Sequence, residues 1–95
     1  MQGRRRLNVE QDAEGWSKPP DAVQSGDYWK LIRNDGSFEW YACAPSGWLG
    51  NLSGHDVTEH EDGTITVSPS ILTSAPEPNP RAWHGYLERG IWREV

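Results

Sequence analysis

The sequence predicts an all-β fold: a small antiparallel meander of three hairpins, with about six strands in an open-barrel or sandwich-like arrangement, preceded by an irregular N-terminal arm. Three turn tripeptides end in glycine and lie between short stretches rich in aromatic and β-branched residues, the pattern typical of β-hairpins. No stretch shows the apolar period of an amphipathic helix. The tripeptides are Asn34-Asp35-Gly36, Glu61-Asp62-Gly63 and Glu88-Arg89-Gly90.

The first 24 residues are predicted to form the arm, and residues 25–95 a single domain. The arm is polar, contains Gly15 and Pro19-Pro20, and has no apolar period, so we expect an irregular lead-in with Trp16 as an anchor onto the domain. No apolar run follows the N-terminal arginines. The segment therefore has the pattern of neither a signal peptide nor a membrane span, and a protein of the cytoplasm is expected.

The first hairpin is predicted over residues 27–43, and the sequence leaves its register open. A two-residue loop at Asp35-Gly36 pairs Leu31 with Trp40. A three-residue loop instead groups Tyr28 and Ile32 with Trp40. Both registers produce one apolar face.

The second hairpin, over residues 55–68, favours a three-residue loop closed by Gly63 in a left-handed conformation. This loop pairs Val57 with Val67 and places Ile65 on the same face. A two-residue loop would turn Val57 away from those residues. We therefore expect Gly63 to resist replacement by any residue with a side chain.

The third hairpin, over residues 83–95, is expected to repeat that loop. A three-residue loop ending in Gly90 pairs Leu87 with Ile91 and Tyr86 with Trp92, which are two favourable cross-strand contacts.

The two connecting segments are expected to lack regular structure. Residues 44–54 contain three glycines and a proline, which argue against a helix. Residues 74–80 alternate proline with other residues, and proline cannot donate to a sheet ladder, so an extended loop is expected.

Charge limits the classes of partner. The chain has 95 residues and a formal net charge of -5, and no lysine or arginine lies between Arg33 and Arg81. Because phosphate binding normally needs basic side chains, nucleic acid is not the expected partner. The acidic residues either keep the protein soluble or bind a basic protein. The candidate edge for such a partner consists of Asp56, Glu59, Glu61 and Asp62.

Cysteine and histidine are the candidate metal ligands and catalytic groups of this sequence. Cys43 is the single cysteine, so no internal disulfide can form, and the other candidates are His55, His60 and His84. Cys43 has no close companion, and the favoured register places His55 and His60 on opposite sides of a strand, so we expect no bound metal and no cofactor. A cysteine–histidine nucleophile is possible in principle, but lone cysteines are usually buried, and a non-enzymatic protein is expected.

Six tryptophans in so short a chain are first core residues, and Trp29 and Trp40 are expected to be buried. Trp48 lies among loop residues and is expected to be the most exposed. With Trp83 or Trp92 it provides an alternative function, a flat platform for a sugar ring or another small ligand.

Two segments carry a resemblance to a known group. The strand with Ser68-Pro69-Ser70-Ile71 and the closing run Trp83-His84-Gly85-Tyr86-Leu87-Glu88-Arg89-Gly90-Ile91-Trp92 resemble small uncharacterised proteins of bacteriophage and prophage genomes. Relatives often carry clustered cysteines where this chain has residues 43–47, which implies a metal knuckle missing here. The resemblance implies a phage origin and an accessory role, in the host cytoplasm or the virion, with no activity to assign to any residue.

These observations predict a non-enzymatic phage accessory protein that binds a basic host or phage protein through the acidic edge, as an inhibitor of a host defence or nucleic-acid enzyme. The alternative is a virion or assembly protein whose arm, with Arg4, Arg5 and Arg6, docks into neighbouring copies as a homo-oligomer.

Overall fold

The computed structural model describes residues 1–73 and 82–95, and the loop expected at residues 74–80 lies outside them. The described residues form strands and no helix, which confirms the all-β class. Accordingly, no helix in this part of the chain is long and apolar enough to cross a membrane. The nine strands of the described residues are β1 (Arg4–Arg5), β2 (Val9–Glu10), β3 (Asp27–Ile32), β4 (Phe38–Cys43), β5 (Leu49–Asn51), β6 (Asp56–Glu59), β7 (Ile65–Thr73), β8 (Trp83–Glu88) and β9 (Ile91–Glu94).

The strands are arranged in two sheets. The first has the order β1-β3-β4-β5, and β2 pairs with β3 beyond the end of β1. Both arm strands run parallel to β3, whereas β3-β4 and β4-β5 are antiparallel. The second sheet has the order β6-β7-β8-β9 and is antiparallel throughout. Neither sheet closes into a barrel.

The β3-β4 hairpin adopts the second of the two registers that the sequence allowed. Tyr28 pairs with Ala42 and Lys30 with Trp40. The loop is Asn34-Asp35-Gly36, and Gly36 has a φ of 89°, which closes a three-residue turn at low cost only with glycine. The register directs Tyr28, Trp40 and Ala42 to one face.

The β6-β7 hairpin confirms its predicted register. Val57 pairs with Val67 and Glu59 with Ile65. The loop closes through a hydrogen bond of 2.8 Å from the amide of His60 to the carbonyl of Thr64. Gly63 has a φ of 87°. β7 then continues through the Ser68-Pro69-Ser70-Ile71 motif, where its pairing with β8 shifts register, rather than ending there.

The register predicted for the third hairpin is wrong. Leu87 pairs with Trp92, not with Ile91, because the loop has only two residues, Arg89 and Gly90. Both have positive φ values, 46° and 76°, the geometry of the tight turn that best matches strand twist. The turn is anchored to β7 by a hydrogen bond of 3.0 Å from the amide of Gly90 to the carbonyl of Ile65. This register buries Leu87 and Trp92 together and leaves Ile91 exposed.

Residues 44–51 contain a hairpin that the sequence analysis missed. The amide of Ala44 donates to the carbonyl of Trp48 at 2.8 Å around a three-residue loop, whose Gly47 has a φ of 92°. The chain then runs into β5, which pairs with β4 through Gly50 and its neighbours. The number of strands therefore exceeds the predicted six.

The two sheets share one hydrophobic core. Tyr28, Ile65 and Leu87 are its most deeply buried large side chains, and they come from both sheets. Trp83 and Trp92 pack edge to face, with ring centroids 5.4 Å apart. Such pairs add to the stabilisation that comes from buried area. The expected burial of Trp29 and Trp40 is confirmed.

The N-terminal arm is attached to both sheets. The amide of Trp92 donates to the carbonyl of Met1 at 2.7 Å, and the amide of Gly3 donates to the carbonyl of Gly90 at 2.7 Å. Three residues later the amide of Arg6 donates to the carbonyl of Tyr28 in the first sheet. Trp16 is 75% exposed, so the expectation that it anchors the arm is wrong.

Candidate functional site

The predicted acidic edge lies on β6, the edge strand of the second sheet, and on the turn that follows it. Side chains alternate along a strand, so Val57 and Glu59 face the core side and Asp56 faces away. Glu61 and Asp62 lie at the tip of the turn. The four carboxylates therefore divide between two environments.

Glu59 is held inside the protein's own charge network. Its carboxylate accepts hydrogen bonds from Nζ of Lys30 at 2.9 Å and from Nη1 of Arg5 at 3.1 Å. The hydrogen bond from Lys30 lowers the pKa of Glu59; burial opposes this effect and Arg5 adds to it. Both cations also lie over the ring of Trp40. Glu59 therefore bridges the two sheets, and two cations of the same chain already bind its carboxylate.

Asp56, Glu61 and Asp62 are exposed and form no ion pair within the described residues. The carboxylate of Asp62 accepts hydrogen bonds from the hydroxyl of Thr64 at 2.6 Å and from its amide at 3.0 Å. These two bonds lower the pKa of Asp62, the hydroxyl more than the amide, so the group is ionised at neutral pH. Arg89 lines the same shallow cavity as Glu61 and Asp62.

Asp27 is a buried carboxylate whose role the sequence analysis missed. Its side chain is 2% exposed and accepts hydrogen bonds from Arg4 at 3.0 and 2.9 Å, from Arg6 at 3.0 Å and from the amide of Gln24 at 3.0 Å. Burial alone would raise the pKa of Asp27, but the hydrogen bonds from Arg4, Gln24 and Arg6 together lower it. The arm arginines are thereby engaged inside the chain.

The tryptophans do not form the predicted platform. Trp83 and Trp92 are 6% and 2% exposed, and the indole Nε1 of Trp92 donates to the carbonyl of Gly26 at 3.0 Å. Trp48 is half-buried against the core, and its ring lies over Gly50. These three residues present no common exposed surface, because the Trp-x-Gly spacing folds the rings of Trp48 and Trp83 back over their own strands.

The cysteine and histidines lie apart. Cys43 is buried at the end of β4, whereas the histidines belong to the second sheet or its approach. His60 contacts Thr66 Oγ1 at 2.7 Å, His84 contacts Ser70 Oγ at 3.0 Å, and His55 contacts the carbonyl of Ser70 at 3.2 Å. Among the described residues, no three of the His, Cys, Asp and Glu side chains come close enough to share a metal ion.

The other face of the first sheet carries a groove that was not predicted. Trp29 and Tyr41 are cross-strand partners whose rings lie nearly parallel, 10° apart, with centroids 5.8 Å apart. Together with Leu31, Leu49 and arm residues they line a cavity of about 350 Å³. The sequence contains an indication of this groove. In the observed register, β3 and β4 carry large apolar side chains on both faces of the sheet, and the face away from the core must be shielded from water by another segment.

The fold and these surfaces define a small two-sheet β protein with an acidic sheet edge and an aromatic groove on the opposite sheet. Comparison of the chain with protein-family models, with curated proteins and with solved structures gives no significant match.

Proposed function

We propose that this chain is a non-enzymatic accessory protein, of phage type as the resemblance implies, that binds a basic protein partner at the edge of its second sheet. The observation that carries the proposal is the trio of Asp56, Glu61 and Asp62, which are exposed carboxylates without an ion pair in the described part of the chain. Glu59 is left out because Lys30 and Arg5 already neutralise it.

The backbone of β6 adds a second element to this surface. β6 is an outermost strand of its sheet, so one row of its backbone groups has no partner strand in that sheet. An edge of this kind pairs readily with a strand from another protein, and main-chain hydrogen bonds then supply affinity while side-chain charges select the partner. Carboxylates beside the edge would favour a strand rich in lysine or arginine.

Such a surface is suited to inhibiting a nucleic-acid enzyme or a host defence protein in the host cytoplasm. The carboxylates would occupy positions that phosphates normally take in the basic groove of the partner. Long-range attraction between opposite charges raises the association rate and makes it sensitive to salt.

The internal ion pairs of the arm favour this proposal over assembly through Arg4, Arg5 and Arg6. All three guanidinium groups bind carboxylates of their own chain, Asp27 or Glu59. An arm that docks into a neighbouring virion subunit would have to leave or share these partners.

The test is a neutralised triple variant, Asp56→Asn, Glu61→Gln and Asp62→Asn. Asparagine at position 62 retains an oxygen that can accept the hydrogen bond from the Thr64 amide, so the turn is expected to be preserved. The matched control, Glu10→Gln, Glu14→Gln and Asp21→Asn, removes the same charge from exposed arm positions.

The partner is first captured from a bacterial lysate with the unmodified protein at low and at high salt, and its affinity for each variant is then measured with purified proteins. The triple variant is expected to bind about tenfold more weakly at low salt, mainly through slower association, and the control is expected to bind unchanged. Equal affinities of the triple variant and the unmodified protein would overturn the proposal.

A further inference from the structure

We propose that the groove on the outer face of the first sheet is a binding site for a neutral, planar aromatic small molecule. Its floor comes from Trp29, Leu31 and Tyr41 on β3 and β4. Val9 of β2 and Leu49 of β5 line it as well, from the strands on either side. This site lies on the first sheet and the acidic edge lies on the second, so the ligand proposal does not depend on the proposed protein partner.

The shape of the groove selects a flat ligand. The rings of Trp29 and Tyr41 lie within 10° of parallel, and aromatic rings prefer offset-stacked or edge-to-face contacts with one another. Trp29 is only 4% exposed and Tyr41 is half-buried, so a further ring would pack against the Tyr41 side of this pair. The volume of about 350 Å³ is at the lower end of the range for small-molecule sites, which suits one to three rings rather than a polymer.

The lining of the groove selects a neutral ligand. Among the described residues that line it, Tyr41 is the one ionisable residue, and its hydroxyl donates a hydrogen bond of 2.8 Å to Oε1 of Glu39. This bond and burial raise the pKa of Tyr41, so the phenol is uncharged at neutral pH. A charged ligand would lose its hydration in the groove without gaining an ion partner there, which is unfavourable.

The arm completes the site. Ser17 and Pro19 line the same cavity. The arm just after them is held by Arg6, whose guanidinium donates to the carbonyl of Asp21 at 2.6 Å. Leu49, which is 51% exposed, lies at the rim, where a ligand would cover apolar surface that is otherwise in water.

The test uses N-phenyl-1-naphthylamine, a neutral aromatic probe whose fluorescence increases in an apolar site. Saturable binding with one probe per chain is expected. In a ¹⁵N-labelled sample, the indole N–H signal of Trp29, assigned with the Trp29→Phe variant, should shift in proportion to occupancy. The indole signals of Trp83 and Trp92, which lie in the core between the sheets, should not.

Two variants test whether the probe binds in the groove. Leu49→Asp puts a carboxylate at the rim and should weaken binding at least about tenfold, since an unpaired charge beside an apolar ligand is unfavourable. Val9→Trp fills the cavity and should abolish binding. Leu72→Asp is the matched control, because Leu72 is also exposed but lies on the second sheet. The affinity of this variant for the probe should equal that of the unmodified protein.

Circular dichroism and thermal unfolding verify that each variant is folded. The proposal is overturned by absence of saturable probe binding to the unmodified protein, by unchanged affinity in the folded Leu49→Asp and Val9→Trp variants, or by an equal loss in Leu72→Asp. Tighter binding of the capped tripeptide Gly-Trp-Gly than of free indole would assign the groove to a peptide instead, and would also overturn it.

Discussion

Replacing Asp27 with asparagine should release the N-terminal arm from the first sheet. The carboxylate is buried and accepts four hydrogen bonds, three of them from arginine side chains. Asparagine has nearly the same shape, but it removes the charge and turns an amide group toward at least one arginine donor. Hydrogen bonds to charged groups contribute about 1.5 to 3 kcal/mol each.

The expected loss for Asp27→Asn is about 2 kcal/mol, near the lower end of that range, because the side chain of Arg4 is 53% exposed and regains water when its partner changes. For a domain of this size, such a loss lowers the melting temperature by roughly 8 to 16 °C. Urea unfolding gives the free energy, and hydrogen exchange of the Arg6 amide, which is bonded to Tyr28, reports release of the arm.

The effect should also depend on pH in a defined direction. The pKa of Asp27 lies below its ordinary value of 3.8, so its ionised form is favoured in the folded state. The stabilisation is complete above about pH 4 and is lost as the pH falls through the folded-state pKa. The difference between the unmodified protein and Asp27→Asn should therefore shrink in acid.

Asp21→Asn is the matched control, because Asp21 is 91% exposed and 3.9 Å from an equally exposed Lys18. Its effect should stay within about 0.5 kcal/mol. If Asp27→Asn and Asp21→Asn unfold at the same urea concentration, the hydrogen bonds that Asp27 accepts do not hold the arm. That result would refute the prediction.

Three further experiments test the registers and the bridge between the sheets. Gly63→Ala should lower the free energy of unfolding by about 1 to 2 kcal/mol through backbone strain alone, since open space surrounds the new methyl group; an unchanged urea midpoint would contradict this. Leu87→Ala should lower the free energy of unfolding by about 2 to 5 kcal/mol because Leu87 is fully buried, and Ile91→Ala should lower it by less than about 1 kcal/mol because Ile91 is exposed. Similar losses in the two variants would argue for the three-residue register of the third hairpin. A double-mutant cycle of Arg5→Ala and Glu59→Gln should give a coupling free energy of about 0.5 to 1 kcal/mol in stability, and this coupling should decrease in 1 M salt. A coupling of zero would show that the Arg5–Glu59 ion pair does not stabilise the contact between the sheets.

The hairpin loops show what local sequence can predict. A glycine in the third loop position, with φ near +90°, closes the turns at Gly36, Gly47 and Gly63. The tripeptides predicted a turn at Gly36 and at Gly63, but only the apolar pattern around Gly63 also predicted the length of its loop. The third predicted loop failed because Arg89 adopts a positive φ, which a residue with a side chain seldom does. In this conformation the amides of Arg89 and Gly90 donate to Thr66 Oγ1 and to the carbonyl of Ile65 on β7, and such tertiary contacts are not visible in the tripeptide.

The exposure of the acidic residues could be predicted in part. Exposure of Glu61 and Asp62 follows from their place at a turn tip. The position of Glu59 on the core side already follows from the register that pairs Val57 with Val67, but its partners come from the arm and from β3, 54 and 29 positions away. The arm strands escaped prediction for a similar reason, since two-residue strands are too short to show an alternation of apolar and polar residues.

The attachment of the arm to β9 has a consequence for the order of folding. Met1 and Gly3 make backbone hydrogen bonds to Trp92 and Gly90, so these contacts can form only after β9 has been synthesised. Contacts so distant in sequence form slowly. The pairing of the arm with β3 does not wait for that step, because β1 and β2 precede β3 in the chain. The second sheet is therefore completed last, and a nascent chain would be most open to aggregation or to a chaperone while β9 is still missing from it.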